Sequence, residues 1–262
     1  MTATDVKHKV VYSEVVTREE WIKARKAFLA EERDFTHKRD ELSRKRRELP
    51  WVKVEDQYVF DGPQGPVSLG DLFQSRSQLI VYHFMFGPGW KEGCPSCSFV
   101  ADHFGGMLVH LAARDVSLAV VSRAPINEIE AFQKRMGWRF PWVSSYGNDF
   151  NRDYHVSFTP EERASGTMYY NYGPFEFPSD EAPGASVFFK AANGDLFHTY
   201  STYARGLDIL LGAYNFLDLV PMGRNEEGIV PHPMAWVRHH DRYVDVPEVK
   251  AAASCCAEGE HA

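Results

Sequence analysis

Two cysteines stand three residues apart in "GWKEGCPSCSFVADHF", Gly89 to Phe104, with Pro95 and Ser96 between them. The apolar run "QLIVYHFMF" comes just before, and a helical pattern follows. Cys94 therefore falls at a helix N-terminus, where unpaired backbone N–H groups favour a thiolate over a thiol. Cys97 lies one turn further in, placed to attack a mixed disulfide on Cys94 and release the product. Pro95 suits the first helical turn, where its missing N–H has no intrahelical partner to lose. Ser96 is small and leaves the sulfur approachable. The same spacing fits half of a zinc site, with His103 or His110 recruited to complete it, or two inert core thiols. Its place between a buried strand and a helix favours dithiol redox chemistry.

Two more side chains are candidates for that chemistry. His83, in the strand feeding the motif, can accept a proton from Cys97, or can be a core imidazole with one hydrogen bond. Arg123, at the end of "VSLAVVSR", can hold a thiolate or an acidic ligand, or pair with a surface carboxylate. Cys255 and Cys256 are adjacent in the small, polar "AAASCCAEGEHA". They suit a soft metal or electron relay better than structural cross-linking, or are passengers in a disordered tail.

The elements that must position these groups follow from periodicity. Thr17 and Glu20 form a capping-box pattern opening a helix that runs to about Leu49, free of Gly and Pro. Trp21, Phe28, Phe35, Leu42 and Leu49 recur every seven residues along it, a thin stripe that needs a partner surface. That surface is the chain's own body or a second subunit's helix; a two-stranded coiled coil wants apolar residues at the other seam position too, where this chain has Glu31, Lys38 and Lys45, which favours docking on its own or a neighbour's globular domain. "WVKVEDQYVFDGPQGPVSL" alternates about a Gly/Pro turn as a half-buried hairpin. After helical "GDLFQSRS" come a buried strand "QLIVYHFMF", a helix "SFVADHFGGMLVHLAARD", a strand "VSLAVVSRA", a helix "PINEIEAFQKRMGW" and a strand "RFPWVSSY". This alternation predicts an α/β sandwich with a parallel core. Residues 147–184, rich in Tyr, Asn, Gly and Pro, form an insertion placed to roof the site. "ASVFFKAANGDLFHTYS" is two strands about a type I′ Asn193-Gly194 turn. "RGLDILLGAYNFLDLV" closes the core as one amphipathic helix. The expected units are a helical extension, 1–50, a core domain, 51–220, and a C-terminal extension with a disordered tail, 221–262.

The chain of 262 residues can bury a core without disulfides. Its N-terminus lacks the basic and apolar pattern of a secretory signal, and no apolar run reaches membrane-spanning length, so a cytoplasmic protein with reduced thiols is expected. A net charge of −7 and a pI near 5.9 argue against nucleic-acid binding through the overall field. "RKRR", Arg44 to Arg47, sits among both signs of charge and reads as a solvated helix face.

Taken in order, "VSLGDLF", "LIVYHFMF", "CPSC", "LAVVSRAP", "MGWRFPWVSS", "DFNRDYHV", "GASVFFKAANGDLFHTYSTYARG" and "YNFLDLVPMGR" resemble a bacterial thioredoxin-like family catalogued as a domain of unknown function. The resemblance extends to about Tyr243. More distantly the chain is similar to the peroxiredoxin and alkyl hydroperoxide reductase group. This implies a thioredoxin-like three-layer sandwich with a hairpin extension, and a thiol-dependent oxidoreductase with Cys94 and Cys97 at the redox position. The peroxiredoxin pattern Pro-x-x-x-Thr-x-x-Cys is missing: Gly87 and Lys91 precede Cys94 at those positions, and Trp90 and Cys94 precede Cys97. The proline that thioredoxins hold opposite the pair has no clear match either, Pro183 lying slightly early.

The expected activity is thiol–disulfide exchange with a disulfide-containing protein or small thiol/disulfide substrate, regenerated by a separate reductant. No cofactor, nucleic acid or membrane is called for, and a homodimer fits the helical stripe. The alternatives are a non-catalytic thioredoxin-like module binding a metal or protein partner, and a weak thiol peroxidase.

Overall fold

The computed structural model describes residues 13–244. Cys255 and Cys256 lie outside them. An eight-stranded sheet runs in the order β1-β10-β9-β4-β5-β6-β2-β3. Its centre is β4 (Gln78–His83), β5 (Val116–Ser122) and β6 (Trp142–Ser144), all parallel, with β9 (Gly184–Lys190) antiparallel to β4 and β10 (Leu196–Tyr203) antiparallel to β9. Strand β4 alternates sides: Leu79 and Val81 join one buried cluster with Phe73, Val121, Phe150 and Phe188, while Tyr82 and Phe84 join the other with Cys97, Phe132 and Trp142. Helices cover both faces. α3 (Pro95–Ala101), α5 (Ile126–Arg135) and α8 (Gly212–Leu217) lie over the cysteine face, and α2 (Leu69–Leu72) and α6 (Phe150–Asp153) over the opposite one. A strand, helix and parallel strand followed by an antiparallel pair, in the order β10-β9-β4-β5, make the thioredoxin-like three-layer sandwich. Among the described residues no helix is long and apolar enough to cross a membrane.

The N-terminal helix α1 spans Arg18–Arg46 and opens with the expected capping box, the Glu20 N–H donating to Thr17 Oγ1 and the Thr17 N–H to Glu20. None of its residues is buried. Trp21, Phe28, Phe35, Leu42 and Leu49 are each 46–68% exposed, so among the described residues the stripe does not dock on the chain's own body.

Four expectations are corrected locally. The hairpin consists of β2 (Val59–Gly62) and β3 (Gly65–Ser68) alone. Trp51 packs on Phe189 and Phe197, drawing β1 (Val52–Lys53) away to pair with β10 at the far edge of the sheet. The helix after the cysteines breaks at Gly105, a 3₁₀ turn (Gly105–Met107) separating α3 from α4 (Leu108–Ala112). The β9–β10 turn is not type I′: Gly194 has φ +90, but Asn193 is not left-handed, and its Oδ1 accepts the Asp195 N–H in a longer loop. The closing helix is also divided, into a 3₁₀ segment (Ala204–Leu210) and α8, with Gly212 packed on the His103 ring where α8 begins. His103 Nε2 accepts the Ala213 N–H at 2.9 Å, capping α8. That contact occupies one of the two imidazoles, His103 and His110, open to a zinc site.

The insertion is ordered. It contains α6, α7 (Pro160–Ala164) and the hairpin β7 (Met168–Tyr170) with β8 (Gly173–Phe175), around a third cluster that includes Val156, Phe158, Tyr170 and Tyr203. Beyond α8 the chain continues as a strap without long elements, whose last turns, Pro233–Trp236 and His240–Arg242, lie against the cysteine face.

Candidate functional site

Cys94 caps α3, and Pro95 takes the first helical position. The Cys94 N–H donates to the Met85 carbonyl at 3.0 Å, and the Met85 N–H points at Cys97 Sγ at 3.5 Å, tying the end of the central strand to both cysteines. Cys94 is half-buried, whereas Cys97 is 2% exposed. The two thiols are therefore unequal. The hydrogen bond from the Cys97 thiol, helped by the N–H groups of Cys97 and Ser96, outweighs burial and draws the Cys94 pKa down to about 7. Burial pushes Cys97 up, and the neighbouring Cys94 charge pushes it further; the Tyr82 hydroxyl opposes this by bonding its sulfur. Once Cys94 is tied up in a mixed disulfide its charge is gone, and that part of the barrier to Cys97 ionisation goes with it.

His83 lies elsewhere. As the neighbour of Tyr82 on an alternating strand it faces the opposite side of the sheet, stacked against Phe150 and Tyr154. Its Nε2 meets Ser186 Oγ at 2.8 Å, while buried Nδ1 has no hydrogen-bond partner among the described residues. Burial lowers its pKa to about 3, so it stays neutral. The sheet separates it from both sulfurs, which corrects the expectation that it receives the Cys97 proton. It begins a chain of hydrogen bonds, His83–Ser186–Ser201–His198, that reaches a tyrosine-lined cleft of about 380 Å³.

Arg123 bonds neither sulfur. Its guanidinium reaches Glu181 at 3.1 Å, and Glu181 also accepts the Ser157 hydroxyl at 2.5 Å. The partner is thus a buried carboxylate rather than a surface one; burial raises its pKa to about 7, against the pull of Ser157 and Arg123. Gly87 packs so close to Glu181 that a β-carbon there would meet its side chain at 3.3 Å, so the pair backs the loop leading to Cys94.

The group that sequence reasoning missed is the strap. His239 is buried, and its Nδ1 faces Arg135, which can only donate, at 3.0 Å. Nε2 therefore carries the proton and donates to the Gly93 carbonyl at 2.8 Å, one residue before Cys94. Arg135 in α5 also bonds Asp241 and Glu92, Arg242 bonds Glu92, and His240 bonds Asp102 just after α3. The strap thus grips the cysteine turn on both sides. "WVRHHDRY" gave the only sequence signal, a cluster of Arg and His near Tyr243, where the family resemblance ends. Replacing His239 with Ala strands the Gly93 carbonyl and empties a packed site, and is expected to cost about 1–3 kcal/mol. Urea denaturation checks this, and an unchanged midpoint would mean the strap adds no stability.

No curated protein matches the chain. Among solved structures it is similar to a peroxiredoxin Q from Xanthomonas campestris, at 15% identity and TM-score 0.42, over 60% of this chain and 88% of that one. It is also similar to peroxidoxin BcpB from Mycobacterium tuberculosis (14%, TM-score 0.40, 61% and 94%) and to a hypothetical protein from Sinorhizobium meliloti (12%, 0.34, 54% and 64%). Likenesses this slight carry no weight for the chemistry. A family model described as bacterial protein of unknown function (DUF899) matches residues 10–243, all of the described core and strap, and the chain belongs to that family.

Proposed function

We propose that the protein is a thiol–disulfide oxidoreductase in which Cys94 is the nucleophile and Cys97 the resolving thiol. The observation that supports this best is the inequality of the pair, a half-buried sulfur at a helix cap whose pKa is lowered and a buried one beside it whose pKa is raised. The Cys94 thiolate attacks one sulfur of a substrate disulfide, and the other leaves as a thiolate that takes up a proton. Cys97 then loses its proton and attacks Cys94, expelling the second substrate thiol and leaving a Cys94–Cys97 disulfide. One disulfide is reduced and one formed, so a separate dithiol must restore the enzyme. Substrate and reductant are a disulfide-containing protein or small disulfide and an external thiol, in a reducing compartment such as the cytoplasm. Arg123, held by Glu181 behind the cysteine loop, serves to orient that loop.

Equilibration with graded mixtures of oxidised and reduced dithiothreitol tests the reading. A reversible Cys94–Cys97 disulfide, with turnover of a model protein disulfide, is expected. Failure to form it, metal retained by the two thiols after purification without chelator, or peroxide oxidising Cys94 faster than disulfides do would overturn the proposal.

A further inference from the structure

Among the described residues, the apolar stripe of α1 has no partner, and the helix meets the body at its C-terminal end, where Arg46 lies over the Tyr200 ring. Isolated helices are marginal in water, and stability in proteins comes from burying an apolar face. Here 29 residues are helical with none buried, and three aromatic rings and two leucines stand open along one line. Arg18 and Arg25 lie over Trp21 and Phe28, covering them only in part. Leu49 continues the line into exposed Trp51 and Val52 at the base of the helix.

We infer that α1 pairs with α1 of a second copy of this chain, antiparallel, about a two-fold axis at Phe35. The pattern is complementary to itself. With Phe35 on the axis, Phe28 stands level with Leu42 of the other helix and Trp21 with Leu49, so every member of the stripe meets another member. Next to the axis the charges fall into opposite pairs, Glu31 level with Arg39 and Glu32 with Lys38, whereas towards the ends like charges meet, Arg25 level with Lys45 and Lys26 with Arg44. A parallel pair would set Glu31 against Glu31, Lys38 against Lys38 and Lys45 against Lys45, like charges at the second seam position. Register therefore follows from the apolar residues, and the pairs flanking Phe35 favour the antiparallel orientation. From Trp21 to Arg46, where α1 ends, the seam is roughly 38 Å long at 1.5 Å per residue, and Leu49 follows one turn beyond. Ten half-exposed large side chains across it, at about 100 Å² each, reach on the order of 1,000 Å², the size a specific interface needs. Each helix start then comes down beside Trp51 and Val52 of the other body, extending the contact onto the sheet edge.

Sedimentation of the full chain and disulfide trapping test this. A dimer is expected, and Phe35→Glu should yield monomer with an unchanged urea midpoint for the body. In a full-length chain with its four native cysteines changed to serine, Phe35→Cys should cross-link to itself under mild oxidation, because it alone faces its own copy. Phe28→Cys should cross-link at least ten-fold more slowly, and only the double substitution Phe28→Cys with Leu42→Cys should restore the rate. A monomeric wild-type chain overturns the inference. Equal cross-linking of Phe28→Cys and Phe35→Cys overturns it in favour of a parallel pair, and a dimer that cross-links at neither site in favour of docking on a partner's body. A monomer that dimerises only after residues 1–12 are removed overturns it by showing the stripe covered by the chain's own N-terminus.

Discussion

Cys97→Ser should halt turnover of disulfide substrates and leave Cys94 accumulating as a mixed disulfide, seen as an added substrate mass on the peptide containing Cys94. The serine hydroxyl keeps a hydrogen-bond donor beside Cys94 but cannot attack. Cys94→Ser should abolish both turnover and trapping. In the wild-type protein, alkylation of Cys94 should rise with pH to a midpoint near 7 and then level, while Cys97 stays unreactive across that range. At pH 7 about half of Cys94 is then thiolate, against about 3% for a thiol with pKa ~8.5, a gain of ~15-fold. Intrinsic nucleophilicity falls by about 5-fold over the same shift, so the net advantage is roughly 3-fold. Cys97→Ala, which removes the donor, should move the alkylation midpoint upward. Faster labelling of Cys97 than of Cys94 near neutral pH would reverse the assigned roles.

The second large effect is expected at Gly93. A β-carbon built there lies 2.5 Å from Phe84 and 2.8 Å from Phe132, ring atoms of the core beneath the cysteine turn. The backbone at this residue is not left-handed, so the constraint is space alone. Gly93→Ala must push two buried rings apart or lift the turn away from His239, and either should cost about 1–3 kcal/mol. Because Gly93 precedes the nucleophile, the same change should alter the alkylation rate of Cys94. Gly89, in the same loop, gives the contrast: φ is +78 and nothing lies within 4 Å of the added carbon. Gly89→Ala should cost about 1–2 kcal/mol through backbone strain, with the core undisturbed. Urea denaturation and alkylation of both variants check the pair of expectations. If Gly93→Ala is as stable as wild type and reacts at the same rate, the turn is not packed as described.

The central strands and the cysteine turn were legible because local signals and tertiary demands agree there. "QLIVYHFMF" is apolar on both faces because helices cover both faces, and Pro95 follows Cys94 because α3 begins there. His83 shows where reading by position falls short. Adjacency in sequence to Tyr82 places it on the far side of a pleated strand, and the pairing that fixes this comes from β9, a hundred residues on. The strand at Val52 was misassigned for a similar reason: its alternation was visible, but not that β10 rather than β2 would be its neighbour. The strap was illegible because it has almost no regular structure. Its grip on the cysteine turn comes from hydrogen bonds made by single side chains at separations of 104–150 residues, which leave no periodicity.

The bond from His239 to Gly93 joins residues 146 apart, and this orders events during synthesis. Both cysteines and the helix that Cys94 caps leave the ribosome early, yet the contact that fixes their turn waits for the last described stretch. At about 5–20 residues per second the interval is roughly 7–30 s. Throughout it, the more reactive thiol sits in a turn whose final restraint does not yet exist. A nascent chain stalled before Trp236 should therefore already carry the paired thiols but hold them loosely, so the strap is a mark that translation has reached the end of the fold.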